Sequence, residues 1–229
     1  MNHPAELAIN QYLEDATSGK SSMSEETITQ IGTDVMDAMR RQFGGGNKRD
    51  EFRLRMSNIG KPTCQLWFAK NKPETALPKP TTFVMNMLLG DIVEAAFKGI
   101  IKEAGVPYED EDNFITLELG GETIKGSYDL VMDGALDDVK SASDWSYRNK
   151  FASYDTLAKS DPFGYVGQLA GYTKATGKKV GGWWVVNKAN GNIKYVPADG
   201  LVLDDEIAKL EETVKTVNDN KFERCFEPV

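Results

Sequence analysis

At 229 residues the chain is long enough for one well-buried domain, and a make-up of 40% hydrophobic and 27% charged residues is that of an ordinary globular protein. It contains no internal repeat, no low-complexity tract and no apolar run approaching the roughly 18–20 residues of a membrane span. The net charge of −8 argues against a surface that adheres to nucleic acid everywhere. The start, Met1-Asn2-His3-Pro4-Ala5-Glu6, lacks the basic-then-apolar pattern of a signal peptide, so a soluble cytoplasmic protein without a membrane partner is expected.

The charge is unevenly spread. Between Arg40 and Lys72 nine basic residues face only Asp50 and Glu51, a net +7 on an otherwise acidic protein. Such a segment, with Arg53, Arg55 and Lys61 in it, can follow a phosphate backbone, or can be a solvated charged face. Cys64 and Cys225 are far apart and form no Cys-x-x-Cys pair; free thiols are expected, and two cysteines are too few to hold an iron–sulfur cluster alone.

In chain order, residues 5–17 carry scattered apolar anchors at helical spacing, followed by the loop Thr17-Ser18-Gly19-Lys20-Ser21-Ser22. Ser24 is an N-cap, Glu25 and Glu26 complement the helix dipole, and Ile28, Ile31, Val35 and Met39 form the apolar stripe of a helix ending near residue 43. Gly44-Gly45-Gly46-Asn47 reads as a flexible joint. The expected organisation is a helical arm over 1–45 and a single domain over 46–229. Pro62 suits the first turn of a short helix through Lys70, whose Trp67 and Phe68 are expected in the core rather than as base-stacking rings, and Lys61 with the Gly60 backbone could approach a phosphate. A proline-rich loop leads to the clearest helix, 83–104, stopped by Gly105 and carrying Glu94.

Strands are expected over 113–119 and 122–131, split by Gly120-Gly121. The polar and aromatic stretch from Ser143 to Tyr154 is expected to cross the mouth of a site. A helix over 161–176 opens on Asp161-Pro162 as cap and first-turn proline. Gly182 to Asn187 and Ile193 to Val196 form a hairpin around Asn190-Gly191, with Trp183 and Trp184 on opposite faces. An amphipathic helix from Asp204 to about Asn220 closes the chain, with Ile207, Leu210, Val214 and Val217 inward. The order predicts a mixed α/β (α+β) domain, a central sheet covered by helices.

The most informative stretch is 126–140. Asp133-Gly134 is a strong type I′ turn signal, and fixing it sets Met132 opposite Ala135, Val131 opposite Leu136, Leu130 opposite Asp137 and Asp129 opposite Asp138. Directly opposed residues have Cβ atoms roughly 4.5–5.5 Å apart, so two carboxylates meet with Lys140 on the same face. Opposed carboxylates raise one another's pKa or recruit a cation, and a hard divalent ion takes one or two carboxylates while keeping waters for a phosphate substrate. A solvated hairpin carrying surface charges fits the same residues, and the hairpin alone leaves both readings open.

Four motifs in order resemble the PD-(D/E)XK nuclease superfamily, on the branch of RecB-type nuclease domains and lambda-exonuclease-like phage enzymes. They are Gly90-Asp91-Ile92-Val93-Glu94 on a helix, Gly126-Ser127-Tyr128-Asp129 on a strand, Asp138-Val139-Lys140 on the next, and Gln168-Leu169-Ala170-Gly171-Tyr172 on a following helix. The resemblance covers roughly 57–187. It implies a restriction-endonuclease-like sheet and Mg²⁺, or Mn²⁺ as substitute, held by Glu94, Asp129, Asp138 and the Val139 carbonyl. Lys140 would activate or orient the attacking water. Gln168 and Tyr172 would buttress the site or touch DNA, with Ser141, Lys61, Arg53 and Arg55 as further substrate contacts. DNA is the implied partner, alongside a homo-oligomer and a single-strand annealing or recombination protein. Many RecB-type members have histidine where Glu94 stands, so the chain resembles the phage exonucleases more. The implied activity is a metal-dependent DNA exonuclease. A structure-specific or restriction-like endonuclease of the same superfamily and a non-catalytic nucleic-acid-binding protein compete with it, and a Ca²⁺ loop is disfavoured because Asp-x-Asp-x-Asp-Gly is missing.

Overall fold

The computed structural model describes residues 3–44, 52–222 and 224–225. The glycine-rich stretch read as a joint, together with Lys48 and Arg49, lies mostly outside these residues. The elements are α1 (Pro4–Thr17), α2 (Glu25–Phe43), α3 (Thr63–Asn71), α4 (Phe83–Glu103), β1 (Phe114–Leu119), β2 (Glu122–Ser127), β3 (Leu130–Met132), β4 (Ala135–Ala142), α5 (Asp144–Arg148), α6 (Tyr154–Lys159), α7 (Tyr165–Thr176), β5 (Lys179–Asn187), β6 (Ile193–Pro197) and α8 (Leu203–Asn218).

A mixed four-stranded sheet in the order β3-β4-β5-β6 forms the centre. β3 and β4 are antiparallel, β4 and β5 parallel, β5 and β6 antiparallel. The parallel pair needs a long crossover, supplied by α5, α6 and α7. This is the mixed α/β, α+β architecture expected.

Two cores sit on opposite faces of the sheet. On one, Trp184, Val139, Leu130 and Met132 pack with Phe97 and Ile101 of α4 and Ala5 and Ile9 of α1. On the other, Trp183, Val185 and Leu136 pack with Leu169 and Ala170 of α7 and Ile207, Leu210 and Val214 of α8. Successive residues of a strand point to opposite faces, so the two adjacent tryptophans, both fully buried, each anchor one core. All four residues of the stripe expected on the last helix are buried.

The turn at Asp133-Gly134 has positive φ at both positions, 52° and 75°, and the pairs Met132–Ala135, Val131–Leu136 and Leu130–Asp137 form as expected. The ladder stops there. The segment 122–131 is two strands, not one: β2 pairs with β1 in a separate ribbon, and the chain breaks away at Tyr128-Asp129 before rejoining the sheet as β3. Asp129 is therefore not a ladder partner of Asp138.

Between β4 and β5 the register slips: Leu136 pairs with Val180 but Asp138 with Trp183, leaving an extra residue on β5 at Gly181-Gly182. A Cβ on Gly181 would collide with the Asp137 carboxylate and the Leu136 carbonyl. The Gly182 N–H donates to Asp137 at 2.8 Å, Trp184 Nε1 at 3.2 Å and Tyr195 Oη at 2.8 Å. Burial, partly offset by those three donors, still pushes Asp137 up to about 6.

Three other expectations change. The helix begins at Tyr165, not Asp161; Asp161 instead accepts the Gly164 and Val166 N–H groups at 3.0 and 2.8 Å, capping from outside a left-handed Gly164. Trp67 and Phe68 are not core residues but form an edge-to-face surface cluster with Phe222. Cys64 and Cys225, expected as free thiols, form a disulfide across a separation of 161 residues, with Cα atoms 5.8 Å apart, a pairing that sequence distance concealed. Among the described residues no helix is long and apolar enough to cross a membrane.

Trp184→Ala should lower unfolding free energy by about 3–5 kcal/mol, because it empties one core and removes an Asp137 donor. Trp145→Ala, at a position 68% exposed, should change it by less than about 0.5 kcal/mol. Urea denaturation followed by circular dichroism measures both; equal, small losses would contradict this core.

Candidate functional site

The hairpin and the break before it build the site together. Asp129 sits on the connection between β2 and β3, and its Oδ2 accepts the Val139 N–H at 2.7 Å. The bond holds this carboxylate against β4 and beside Asp138, although the ladder no longer pairs the two residues. Asp138 is buried, and its Oδ2 forms an ion pair with Lys140 Nζ. The sequence placed these three side chains together; the structure brings them together by a different route.

Two glycines of the motifs have local reasons. A Cβ on Gly126 would lie 2.6 Å from Met56 Cβ and 2.9 Å from Tyr172 Oη, so glycine lets α7 approach β2. At Gly90 a Cβ would lie 3.8 Å from Ser141 Oγ, which places α4 against the end of β4. Ser141 thus borders α4 one residue beyond Lys140. Gln168 and Tyr172 lie on α7, one helical turn apart. The Tyr172 hydroxyl is buried and raised above its usual range, first by burial, and lies within the electrostatic reach of Asp138, Asp129 and Lys140.

Glu94 approaches from α4 but is engaged elsewhere. Its carboxylate meets Lys98 Nζ at 3.0 Å, and Lys98 also reaches Asp110 at 3.4 Å. Glu94 lines a cavity of about 510 Å³ between α2 and α4 whose walls include Asp34, Asp37, Asp91 and Asp110. Sequence reading missed Lys98, although it stands one helical turn beyond Glu94, the spacing at which such pairs form.

Burial first, then Asp138, pushes Asp129 up to about 7. Burial also raises Asp138, against the pull of Lys140, and raises Glu94, with Asp129 adding to it. Burial would lower Lys140, but Asp138 and Asp129 outweigh it and hold the ammonium above its ordinary range. At neutral pH Lys140 is a cation.

Among the described residues, Glu94, Asp129, Asp138 and Asp110 have Lys98 and Lys140 as their basic partners, two ammonium groups for four carboxyls. These hard oxygen donors suit Mg²⁺ or Mn²⁺. Asp138 Oδ2 is buried with the Lys140 ammonium as its ion-pair partner, so a cation bound here would share this carboxylate with Lys140. Among the described residues no three His, Cys, Asp or Glu side chains already form a metal cage, consistent with Glu94 turned toward Lys98.

Arg53 and Arg55 are not at the carboxylates. They line a separate cavity of about 680 Å³ with Lys70, Lys125, Phe114 and Ser127, reaching Gly126 on the back of β2. Lys61 lies where the 60–61 backbone packs on Gly164 at the start of α7. The resemblance groups these residues as substrate contacts, whereas the fold puts Arg53 and Arg55 in one cavity and Lys61 at the start of α7.

No protein-family model and no curated protein sequence matches the chain. Among solved structures it is similar to the crystal structure of SSO0001, at 12% identity and a TM-score of 0.47, over 90% of this chain and 91% of that one.

The raised carboxyls set a pH dependence. Between about pH 4 and 7 the unfolded chain releases protons that folded Asp129 and Asp137 still hold, so stability falls as pH rises through this window. In chelator, the denaturation midpoint should be higher at about pH 5 than at about pH 7.5, and Asp129→Asn should flatten the part of the curve between about pH 6 and 7. A wild-type midpoint that rises with pH there would contradict this environment.

Proposed function

We propose that the protein is a metal-dependent DNA nuclease of the PD-(D/E)XK kind that hydrolyses phosphodiester bonds, acting from DNA ends in recombination, repair or degradation. The observation that carries this reading is the convergence of Asp129, Asp138, Lys140 and the Gln168–Tyr172 pair, from three separated stretches of chain, in one buried cluster short of positive charge.

Asp129 and Asp138, joined by Glu94 once released from Lys98 and by the Val139 carbonyl, would hold Mg²⁺ or Mn²⁺. The chemistry supplied there by a bound ion would be polarisation of the scissile phosphate and a lowered pKa of a water. The chain's own groups do the rest. Lys140, protonated, orients water and offsets charge developing on the phosphate; with its pKa raised it is a poor base. Tyr172 and Gln168 wall the site, the tyrosine hydroxyl packed close to Gly126. Arg53, Arg55, Lys70 and Lys125 provide positive charge along the approach.

With Mg²⁺, linear DNA should be degraded and covalently closed circular DNA spared. Asp138→Ala and Lys140→Ala should each lower the rate by about 100-fold or more while leaving DNA binding in Ca²⁺ intact. Cutting of the circle would make the enzyme an endonuclease, and wild-type rates in either variant would refute the site. Replacing Arg53 and Arg55 together by alanine should weaken duplex binding equally across sequences and lower the slope of log affinity against log salt by about 1–2. An unchanged slope would move the DNA path elsewhere.

A further inference from the structure

A line of rings and ammonium groups runs outward from Lys140, and the chemistry above uses none of it. Lys140 Nζ lies 5.0 Å from the centre of the Tyr165 ring. Phe151 stacks near Tyr165 at 5.9 Å and Phe163 at 5.5 Å, the latter tilted only 16° from parallel. Lys150 straddles this stack, its Nζ 4.5 Å from the Phe163 ring centre and 4.6 Å from that of Tyr165.

Two features set the stack apart from ordinary packing. Among the described residues, Lys150, 12% exposed, has its Nζ buried without a hydrogen-bond partner, and its carboxylate neighbour, Asp161, stands 3.9 Å away and is occupied in capping α7. An ammonium is costly to bury so thinly paired, and the two ring faces compensate in part. At the outer end Phe163 is 56% exposed, an open aromatic surface on a rigid support. Asp161 already takes the Gly164 and Val166 N–H groups, so the helix start offers no anion seat there. What remains is a flat π surface backed by positive charge, one ring beyond the Tyr165 that borders Lys140 and one residue before the Gly164 that packs on the Lys61 backbone.

We propose that Phe163, supported by Tyr165 and Lys150, is a stacking platform for an unpaired nucleobase flanking the scissile phosphate, so that the nuclease engages single-stranded or frayed DNA at this point. The inference rests on the nuclease reading. A base inside a duplex has both faces covered by its neighbours, whereas an unpaired one offers a face to a ring, and such stacking tolerates any sequence because every base has a π surface.

The test is fluorescence anisotropy of a labelled single-stranded oligonucleotide in Ca²⁺, repeated with one abasic position moved stepwise along it. Phe163 is exposed, so its replacement spares the core. Phe163→Ala should weaken binding by about 5- to 150-fold, from the usual strength of one base–ring stack. Phe163→Trp should restore it, and blunt duplex should be little affected. One abasic position should reproduce the loss in the wild type and add nothing in Phe163→Ala. Single-strand binding unchanged in Phe163→Ala, or an abasic scan without a sensitive position, overturns the platform. Cleavage assays run in parallel with Lys140→Ala separate the two ideas. An active wild type silenced by Lys140→Ala, with an insensitive Phe163, loses the platform alone. A wild type inactive on every DNA with Mg²⁺ and Mn²⁺ loses the nuclease reading, and the anisotropy still decides whether Phe163 stacks a base.

Discussion

The contact on which the site depends is a single hydrogen bond from the Val139 N–H to the Asp129 carboxylate. The type I′ turn fixes β3 against β4, yet the ladder ends at Leu130–Asp137, one pair short of the two aspartates. Without that bond Asp129 would hang on a connection between two sheets. With it, the carboxylate is held against the strand bearing Asp138 and Lys140, and like charges are kept together inside a poorly solvated pocket. Their mutual repulsion and burial make the cluster receptive to protons or a hard cation.

β4 itself is a compromise between two demands. Its alternating faces serve different layers: Val139 joins the core beneath α4, while Lys140 turns toward Tyr165 of α7. Asp137, two residues before Val139 and on the same side of the strand, is a buried carboxylate with a structural task, accepting three donors at the bulge of β5. Asp137 thus has different work from Asp129 and Asp138, and their partners distinguish them.

What was readable in the sequence was local. The hairpin register, the opposed tryptophans and the inward stripe of α8 follow from periods of two and 3.6 residues and from turn chemistry. What was not readable depends on distant chain. Nothing near Tyr128 announces that β2 pairs with β1 rather than continuing into β3, because both fit the same alternation. The Cys64–Cys225 bridge, the Lys150–Tyr165 stack and the turning of Glu94 by Asp110-bound Lys98 arise from residues brought together only by folding. Asp161 was legible as a cap, but the left-handed Gly164 that delays the helix was not.

The adjacent tryptophans also give the protein a built-in pair of optical reporters. Trp183 and Trp184 are neighbours in sequence, yet each indole lies in a different core, and the two differ in polarity: Trp184 Nε1 donates to a carboxylate, whereas Trp183 Nε1 is buried without a partner. Their emission therefore samples two environments a single peptide bond apart. Two variants, each keeping one of the pair as its sole tryptophan once Trp67 and Trp145 are also replaced, would show by their fluorescence which layer of helices loosens first when the sheet is exposed to denaturant.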